Sequence, residues 1–137
     1  MDWHECKQKK IVKEVSVDED LVKSLIISSQ NKDDSQKQLT LSPVTAASKI
    51  SLVYDALREL LEAYSLLQGY KIYNHECYCA LLKEIIGKHS LGDDFDELRR
   101  VRNAVNYYGK EITVEQARDF ILKTQALRLK IKELIKT

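Results

Sequence analysis

The chain has 137 residues, with 22 lysines and arginines against 21 aspartates and glutamates. This length fits one domain with a proper core, and the near balance of charge excludes a bulk electrostatic pull toward nucleic acid. Four glycines and one proline, beside abundant leucine, lysine, glutamate and isoleucine, indicate an all-α protein.

The cysteines and the N-terminus indicate the compartment. Cys6, Cys77 and Cys79 are too few and too unevenly spaced for a disulfide framework, so we expect small buried cysteines. The first residues contain no apolar run typical of a signal peptide, and no segment approaches the ~18 apolar residues of a membrane span. The sequence therefore predicts an intracellular, cytoplasmic protein without a membrane partner.

Residues 1–42 are predicted to form N-terminal helices or an arm. Lysines mix with Trp3, Ile11 and Val12 in the first part, which fits a short amphipathic helix packed on the protein or an arm that binds a partner. A second helix is predicted to begin at Asp18. Its continuation over 28–38 has almost no apolar residue, so the sequence leaves open whether it extends the helix or forms a linker.

The longest strongly periodic segment runs from Ser42 to Gln68. Ser42 and Pro43 predict the helix start, as the capping residue and the first helical residue. Apolar residues recur at three- and four-residue spacing on two adjacent stripes: Ala47, Ile50, Tyr54, Leu57, Leu61 and Tyr64, and Val53, Leu60 and Leu67. So wide an apolar face predicts the central helix of a bundle, in contact with neighbours on two sides or with a second subunit.

The next predicted helix runs from Asn74, its cap, to Gly87. It carries the second of two His-Glu-Cys triplets, and His4, Cys6, His75 and Cys77 are residue types that bind zinc. The two triplets are far apart in sequence, however, and positions 75 and 77 do not share a helix face. The sequence therefore favours buried cysteines, with no metal and no cofactor. His89, in a predicted loop, is the histidine nearest to the following helix.

A helix over 93–109 carries the polar groups best suited to chemistry. Its first turn is acidic and its later part is rich in arginine, which suits the helix dipole. Arg99, Arg102 and Asn106 share one row by three- and four-residue spacing, and Arg100, Asn103 and Tyr107 form a neighbouring row. These guanidinium, carboxamide and phenol groups together suit a phosphate or a nucleotide edge.

The last helix is predicted to begin at a capping box, Thr113 to Gln116, and to run to the C-terminus. The four glycines (69, 87, 92 and 109) lie at or between predicted helix ends. This pattern predicts an up-and-down bundle of about five helices. We expect one domain over 1–137, with the core bundle over 43–135.

The run from Arg102 to Gly109, RNAVNYYG, resembles the signature helix of the HEPN family. That helix carries an arginine, usually followed by a polar residue, and a histidine four to six residues later. Where the family's ribonucleases have histidine, this chain has Tyr107. The order of elements over about 43–135 is also similar, with a signature helix near the end of the bundle and one long closing helix after it.

The resemblance implies a homodimer that is formed through the central and signature helices. If the site is catalytic, Arg102 would clamp the phosphate, Asn103 would orient it and Tyr107 would stand for the histidine. A phenol with a pKa near ~10 is a weak base at neutral pH, so Tyr107 is suited to hydrogen bonding or stacking. The residues expected to bind nucleic acid are Arg99, Arg100, Arg102, Asn106 and Tyr108.

The same resemblance implies several roles. The first is a protein of toxin–antitoxin or defence type that binds RNA or nucleotide with a degenerate ribonuclease site, or that pairs with a minimal nucleotidyltransferase. The second is an active, metal-independent endoribonuclease. A third hypothesis does not depend on the resemblance: a dimerisation scaffold whose arginines are structural. Tyr107 favours the first role over the second.

Overall fold

A computed structural model describes residues 1–107 and 109–136, and it leaves the side chain of Tyr107 undescribed. The helices are α1 (Trp3–Gln8), α2 (Glu19–Gln38), α3 (Ala46–Leu67), α4 (Glu76–Ala80), α5 (His89–Tyr107) and α6 (Val114–Lys136). A π-helical turn, Leu81–Ile85, continues α4. Two short strands, β1 (Val12–Glu14) and β2 (Tyr70–Ile72), pair antiparallel with Val12 opposite Ile72. The predicted all-α bundle is confirmed, and the N-terminal segment contains the short helix α1, one of the two alternatives that the sequence left open for it.

The central position of α3 is also confirmed, because it packs against α2, α5, α6 and β2. Ile50, Leu57 and Leu61 of the first predicted stripe, and Val53 and Leu60 of the second, are fully buried. Each such side chain contributes ~1.5–3 kcal/mol through burial, so the wide apolar face makes a large contribution to the core. Within the described residues, no helix combines the length and the apolar character needed to cross a bilayer.

The polar second half of α2 continues the helix to Gln38, which answers the question that the sequence left open. Polar contacts to the bundle replace the missing apolar ones. Ser29 is fully buried and donates to the carbonyl of Ala56 on α3. The ammonium of Lys49 donates to the carbonyls of Gln36 and Leu39, where α2 ends.

Two predicted helix starts are shifted in the structure. Ser42 and Pro43 lie in a turn, and α3 begins only at Ala46 after Thr45. Conversely, α5 begins at His89, so that Gly92 lies inside the helix and His89 is its exposed first residue. Glycine is required at position 92 by close packing, since an added Cβ would lie 2.6 Å from Cγ of Lys83.

The N-terminal segment packs on the bundle, which supports the packing role over a free arm. Trp3 and Cys6 are buried, and Trp3 meets Tyr70 edge to face. Cys6 and Cys77 form a disulfide with Cα atoms 6.1 Å apart. All three cysteines are buried as expected, but the sequence analysis did not predict the bridge between this pair. The two residues are 71 positions apart, and only the docking of α1 against α4 brings them together.

Candidate nucleic-acid interface

Two residues of the predicted row on α5, Arg102 and Asn106, contact α3. The guanidinium of Arg102 lies 3.6 Å from the carboxylate of Asp55 and 5.0 Å from the ring centre of Tyr54. One turn later, the hydroxyl of Ser51 donates to Asn106 at 3.2 Å. The three- and four-residue spacing of the arginine helix thus places polar side chains along a polar edge of α3.

Tyr54 of α3 lies beneath the Arg102 guanidinium. Its ring is fully buried, stacks on Phe95 with a centroid separation of 5.9 Å, and carries the Arg102 guanidinium on its face. A cation over an aromatic face is attracted by the ring quadrupole. Burial raises the pKa of Tyr54 far above its ordinary value, so its hydroxyl keeps its proton.

His75, at the start of α4, completes this arrangement. Its Nδ1 lies 3.0 Å from the Tyr54 hydroxyl. Burial, together with the positive charges of Arg58, Arg102 and Arg99, lowers the pKa of His75 to about 4. The imidazole is therefore neutral at pH 7. Because Tyr54 keeps its proton, its hydroxyl can donate to Nδ1, and the ring proton then lies on Nε2.

Arg58 is the third arginine that acts on this pair. It lies one turn after Tyr54 on α3, and its guanidinium is 3.5 Å from Glu62 and 4.0 Å from Glu59. We define the arginine face as Arg58, Arg99 and Arg102 together with Tyr54 and His75. The arginine side chains are 25%, 18% and 14% exposed, so they are accessible but held by their surroundings.

Asp96 fixes two arginines of α5. Its carboxylate accepts from Arg99 at 2.8 Å, from Arg100 at 2.9 Å and from the buried thiol of Cys79 at 3.7 Å. Burial alone would raise the pKa of Asp96, but the two guanidiniums outweigh it and hold this pKa below its ordinary value. Burial, with the nearby carboxylate, raises the pKa of Cys79 to about 12, so this thiol is not a nucleophile at neutral pH.

The second predicted row is less well supported. Arg100 is 74% exposed and contacts Asp96, away from the Tyr54 ring, whereas Asn103 is half-buried. The side chain of Tyr107 and the whole of Tyr108 lie outside the described residues. His89 cannot replace the missing histidine, because thirteen helical residues, about 20 Å, separate it from Arg102.

The structure brings the predicted zinc ligands close together but leaves Cys6 and Cys77 unable to bind a metal. The two His-Glu-Cys triplets do meet, yet Cys6 and Cys77 are joined to each other and present no thiolates. The part of the chain that the structure describes contains no group of three or more histidine, cysteine or acidic side chains arranged for a metal ion.

Sequence reasoning missed three members of the arginine face: Tyr54, Arg58 and His75. The spacing of Tyr54 and Arg58 at positions i and i+4 was a signal that both lie on one side of α3. Tyr54 was assigned to the apolar stripe, which is correct for its ring but leaves out its hydroxyl. Nothing in the sequence places His75 beside them, because it lies on a different helix.

The assembled chemistry is that of an anion site with a neutral hydrogen-bonding pair at its centre. Three guanidiniums supply positive charge and forked donors, and a His75 that is protonated on Nε2 supplies a further donor. Comparison with models of known protein families, with curated proteins and with solved structures finds no match for this chain. Its function is therefore argued from the geometry of the arginine face.

Proposed function

We propose that this protein binds single-stranded RNA by its phosphates at the arginine face. The observation that carries the proposal is the convergence of Arg58, Arg99 and Arg102 on the neutral Tyr54 and His75 pair. Guanidinium forks match phosphate oxygens in a bidentate geometry, and the arginines here are positioned before any ligand arrives.

The three arginines form ion pairs of different lengths, and the longer pairs are suited to exchange of a carboxylate for a phosphate. Arg102 with Asp55, at 3.6 Å, and Arg58 with Glu62, at 3.5 Å, are longer than the 2.7–2.9 Å of a strong charge-assisted hydrogen bond. A phosphate oxygen can therefore compete with these two carboxylates for the guanidinium donors. Arg99, at 2.8 Å from Asp96, is held firmly and serves as a fixed edge of the site.

The HEPN resemblance adds the expected assembly. Under it, two chains form a homodimer through α3 and α5, so that two arginine faces act on one RNA, with a minimal nucleotidyltransferase as a candidate protein partner. Two observations favour binding over cutting. Tyr107 stands where the family's ribonucleases have histidine. The Tyr54 hydroxyl lies 3.0 Å from Nδ1 of His75, and in the tautomer in which this hydroxyl donates, Nε2 carries the ring proton and is not a base.

The test is the affinity for a fluorescein-labelled single-stranded RNA, measured by anisotropy across a salt series. Arg102→Met should weaken binding about tenfold and flatten the slope of log K against log salt by ~0.7, because one phosphate contact is lost. Arg118→Met, which removes an exposed arginine of α6, is the matched control and should bind like the wild type.

Sedimentation and thermal melting accompany this experiment, to show that each variant keeps its fold and its assembly state. A folded Arg102→Met protein with wild-type affinity and salt slope would refute RNA binding at this face. If neither the wild type nor Arg102→Met binds RNA, and the variant differs from the wild type in its assembly state, the scaffold hypothesis is favoured. In that hypothesis the arginines only join subunits.

A second function, metal-independent endoribonuclease, is favoured by one observation: His75 places an imidazole beside Arg102 from another helix. As a general base at Nε2 the ring would need the opposite tautomer, with Nδ1 donating to Tyr54. RNA incubated with the protein in chelator tests this role. Cleavage that disappears in His75→Asn, and whose rate stays level above about pH 5, would support it; intact RNA in a complex with the wild type would exclude it.

A further inference from the structure

A groove between α2 and α6, away from the arginine face, has an arginine at its floor. The groove has a volume of about 280 Å³, and its polar lining is Gln30, Asp33, Lys37, Gln125, Arg128 and Lys132. Arg128 is only 4% exposed, so its charge is almost fully removed from bulk water. Burial of a charge is costly unless an opposite charge or a full set of hydrogen bonds offsets it.

The partners that the structure gives Arg128 are neutral. Its Nε donates to the hydroxyl of Ser29 at 2.9 Å, and one terminal nitrogen donates to the amide oxygen of Gln30 at 3.3 Å. Within residues 1–107 and 109–136, no carboxylate forms an ion pair with it. A buried guanidinium with two neutral partners retains both its charge and unused donors for an anion.

The one carboxylate in the groove already has several donors. Asp33 accepts from Gln36 and Gln125, each at 3.1 Å, and its other oxygen lies 3.2 Å from the ammonium of Lys37. Burial alone would raise the pKa of Asp33, but these three donors outweigh it, so the pKa falls below its ordinary value and the group stays ionised. The negative charge of Asp33 is therefore stabilised by Lys37 and by the side-chain amides of Gln36 and Gln125.

The charge balance of the lining identifies the ligand class. Three cations, Lys37, Arg128 and Lys132, stand against Asp33, which leaves a net charge of +2. A dianion would neutralise this charge, whereas a carboxylate would supply only one negative charge. Lys37 is exposed and Lys132 half-exposed at the rim, so both ammoniums can close on a ligand that sits above Arg128.

We infer that the groove between α2 and α6 is a binding site for a phosphoryl dianion, with Arg128 as the buried anchor and Lys37 and Lys132 as the rim. The phosphoryl group can belong to inorganic phosphate or to a phosphate monoester. The site is independent of the arginine face, since none of its lining residues belongs to that face.

The experiment titrates the protein with inorganic phosphate at pH 7.5 and constant ionic strength, and follows the side-chain amide signals of Gln30 and Gln125 by NMR. Arg128→Met keeps the bulk of the side chain and removes its charge, and should weaken binding at least tenfold. Lys132→Met and Lys37→Met should each weaken it about threefold. Lys130→Met, on the exposed side of α6 outside the groove, should leave the affinity unchanged.

The following comparisons make the result decisive. Arg102→Met must leave the phosphate response of Gln125 intact, which separates this groove from the arginine face. Acetate that binds as tightly as phosphate, or a folded Arg128→Met protein with wild-type affinity, would overturn the inference. If Arg128→Met does not fold, Lys37→Met and Lys132→Met provide the test. Wild-type phosphate affinity in both of these variants would also overturn the inference. Titration with O-phosphoserine then distinguishes the two sources of the phosphoryl group. Tighter binding of O-phosphoserine than of inorganic phosphate indicates a monoester, and the reverse order indicates free phosphate.

Discussion

Arg102 and Arg128 are both largely buried arginines, but their surroundings differ in kind. Arg102 lies over the ring of Tyr54 and near the carboxylate of Asp55, whereas Arg128 has a hydroxyl and an amide as partners. A guanidinium near a carboxylate is partly neutralised and can exchange that partner for a phosphate. A buried guanidinium with neutral partners keeps an unfavourable charge that a bound anion would relieve. The two guanidiniums would therefore bind an anion in different ways: Arg102 by exchanging a carboxylate for a phosphate, and Arg128 by gaining a charge partner that it lacks in the structure.

The two regions also differ in how they are anchored. His75 of the arginine face lies two residues before Cys77, and the disulfide ties α4 to the N-terminal helix. The ammonium of the N-terminus adds an ion pair with Glu76 at 3.0 Å. The groove that contains Arg128 is built from α2 and α6, which carry no cysteine. Breaking the disulfide should therefore affect one region and spare the other.

The largest expected effect comes from removing that disulfide. The bridge closes a loop of 71 residues, so its loss in Cys6→Ala/Cys77→Ala should lower the free energy of unfolding by about 4 kcal/mol. Urea unfolding of oxidised and reduced wild type should show a similar gap. RNA affinity should fall, because His75 is loosened, while phosphate binding at the groove persists under conditions where the protein stays folded.

Cys79→Ala is the control for this experiment, since that thiol takes no part in the bridge. Its unfolding should remain sensitive to reductant to the same degree as the wild type. Equal urea midpoints for the oxidised and reduced wild-type protein would contradict the anchoring role of the disulfide.

An intermediate effect is expected from pH and concerns the arginine face. Burial and three arginines lower the pKa of His75 from 6.5 to about 4, so between these values the unfolded chain takes up a proton that the folded protein refuses. Stability is therefore complete above pH 6.5 and is lost as the pH falls toward 4. The full shift corresponds to about 3 kcal/mol, which partial exposure to solvent reduces to about 1–2 kcal/mol.

The measurement is the free energy of unfolding in urea at pH 7, 6, 5 and 4.5. His75→Asn retains an acceptor for the Tyr54 hydroxyl and should remove most of the loss between pH 6.5 and 4.5. His89→Gln, which changes an exposed histidine at the start of α5, should show the wild-type pH dependence. If the free energy of unfolding of His75→Asn fell with pH as steeply as that of the wild type, titratable groups other than His75 would cause the loss of stability.

The smallest effect on stability is expected from Asp55→Asn, which should nevertheless strengthen RNA binding. The contact between Asp55 and Arg102 is long and partly exposed, so its loss should cost less than about 1 kcal/mol. Removal of this carboxylate takes away a negative charge that competes with phosphate for Arg102, and RNA affinity should rise about threefold to fivefold. Asp94→Asn, on the same bundle but outside the arginine face, should change neither quantity; a weaker affinity in Asp55→Asn would show that Asp55 positions Arg102 for RNA.

The parts of the fold that the sequence predicted are those with local signals. The apolar stripes of α3 identified the central helix, and three- and four-residue spacing placed Arg102 and Asn106 on one side of α5. The end of α2 was not predictable, because its second half is held by polar contacts such as that of Ser29 with α3 rather than by apolar periodicity. The glycine at 92 suggested a helix end, whereas close packing against Lys83 is what requires it.

The candidate site was only half predictable for the same reason. Arg99 and Arg102 share a helix, so their spacing was visible in the sequence. His75 and Tyr54 belong to different helices, and only the packing of α4 against the bundle brings Nδ1 to the phenol. Cys6 and Cys77 illustrate the point most clearly, since no spacing rule pairs two residues that are 71 positions apart.

Lys49 links the ends of two helices in a way that bears on how the protein opens. Its ammonium, on a side chain that is only 6% exposed, donates to the last carbonyls of α2, which ends without a glycine. Fraying of the end of α2 would leave that ammonium buried without acceptors, so the end of α2 and the start of α3 should open together. Amide hydrogens near Gln36 and near Lys49 should then exchange with deuterium at similar rates, as one cooperative unit, although one lies near a helix end and the other near a helix start.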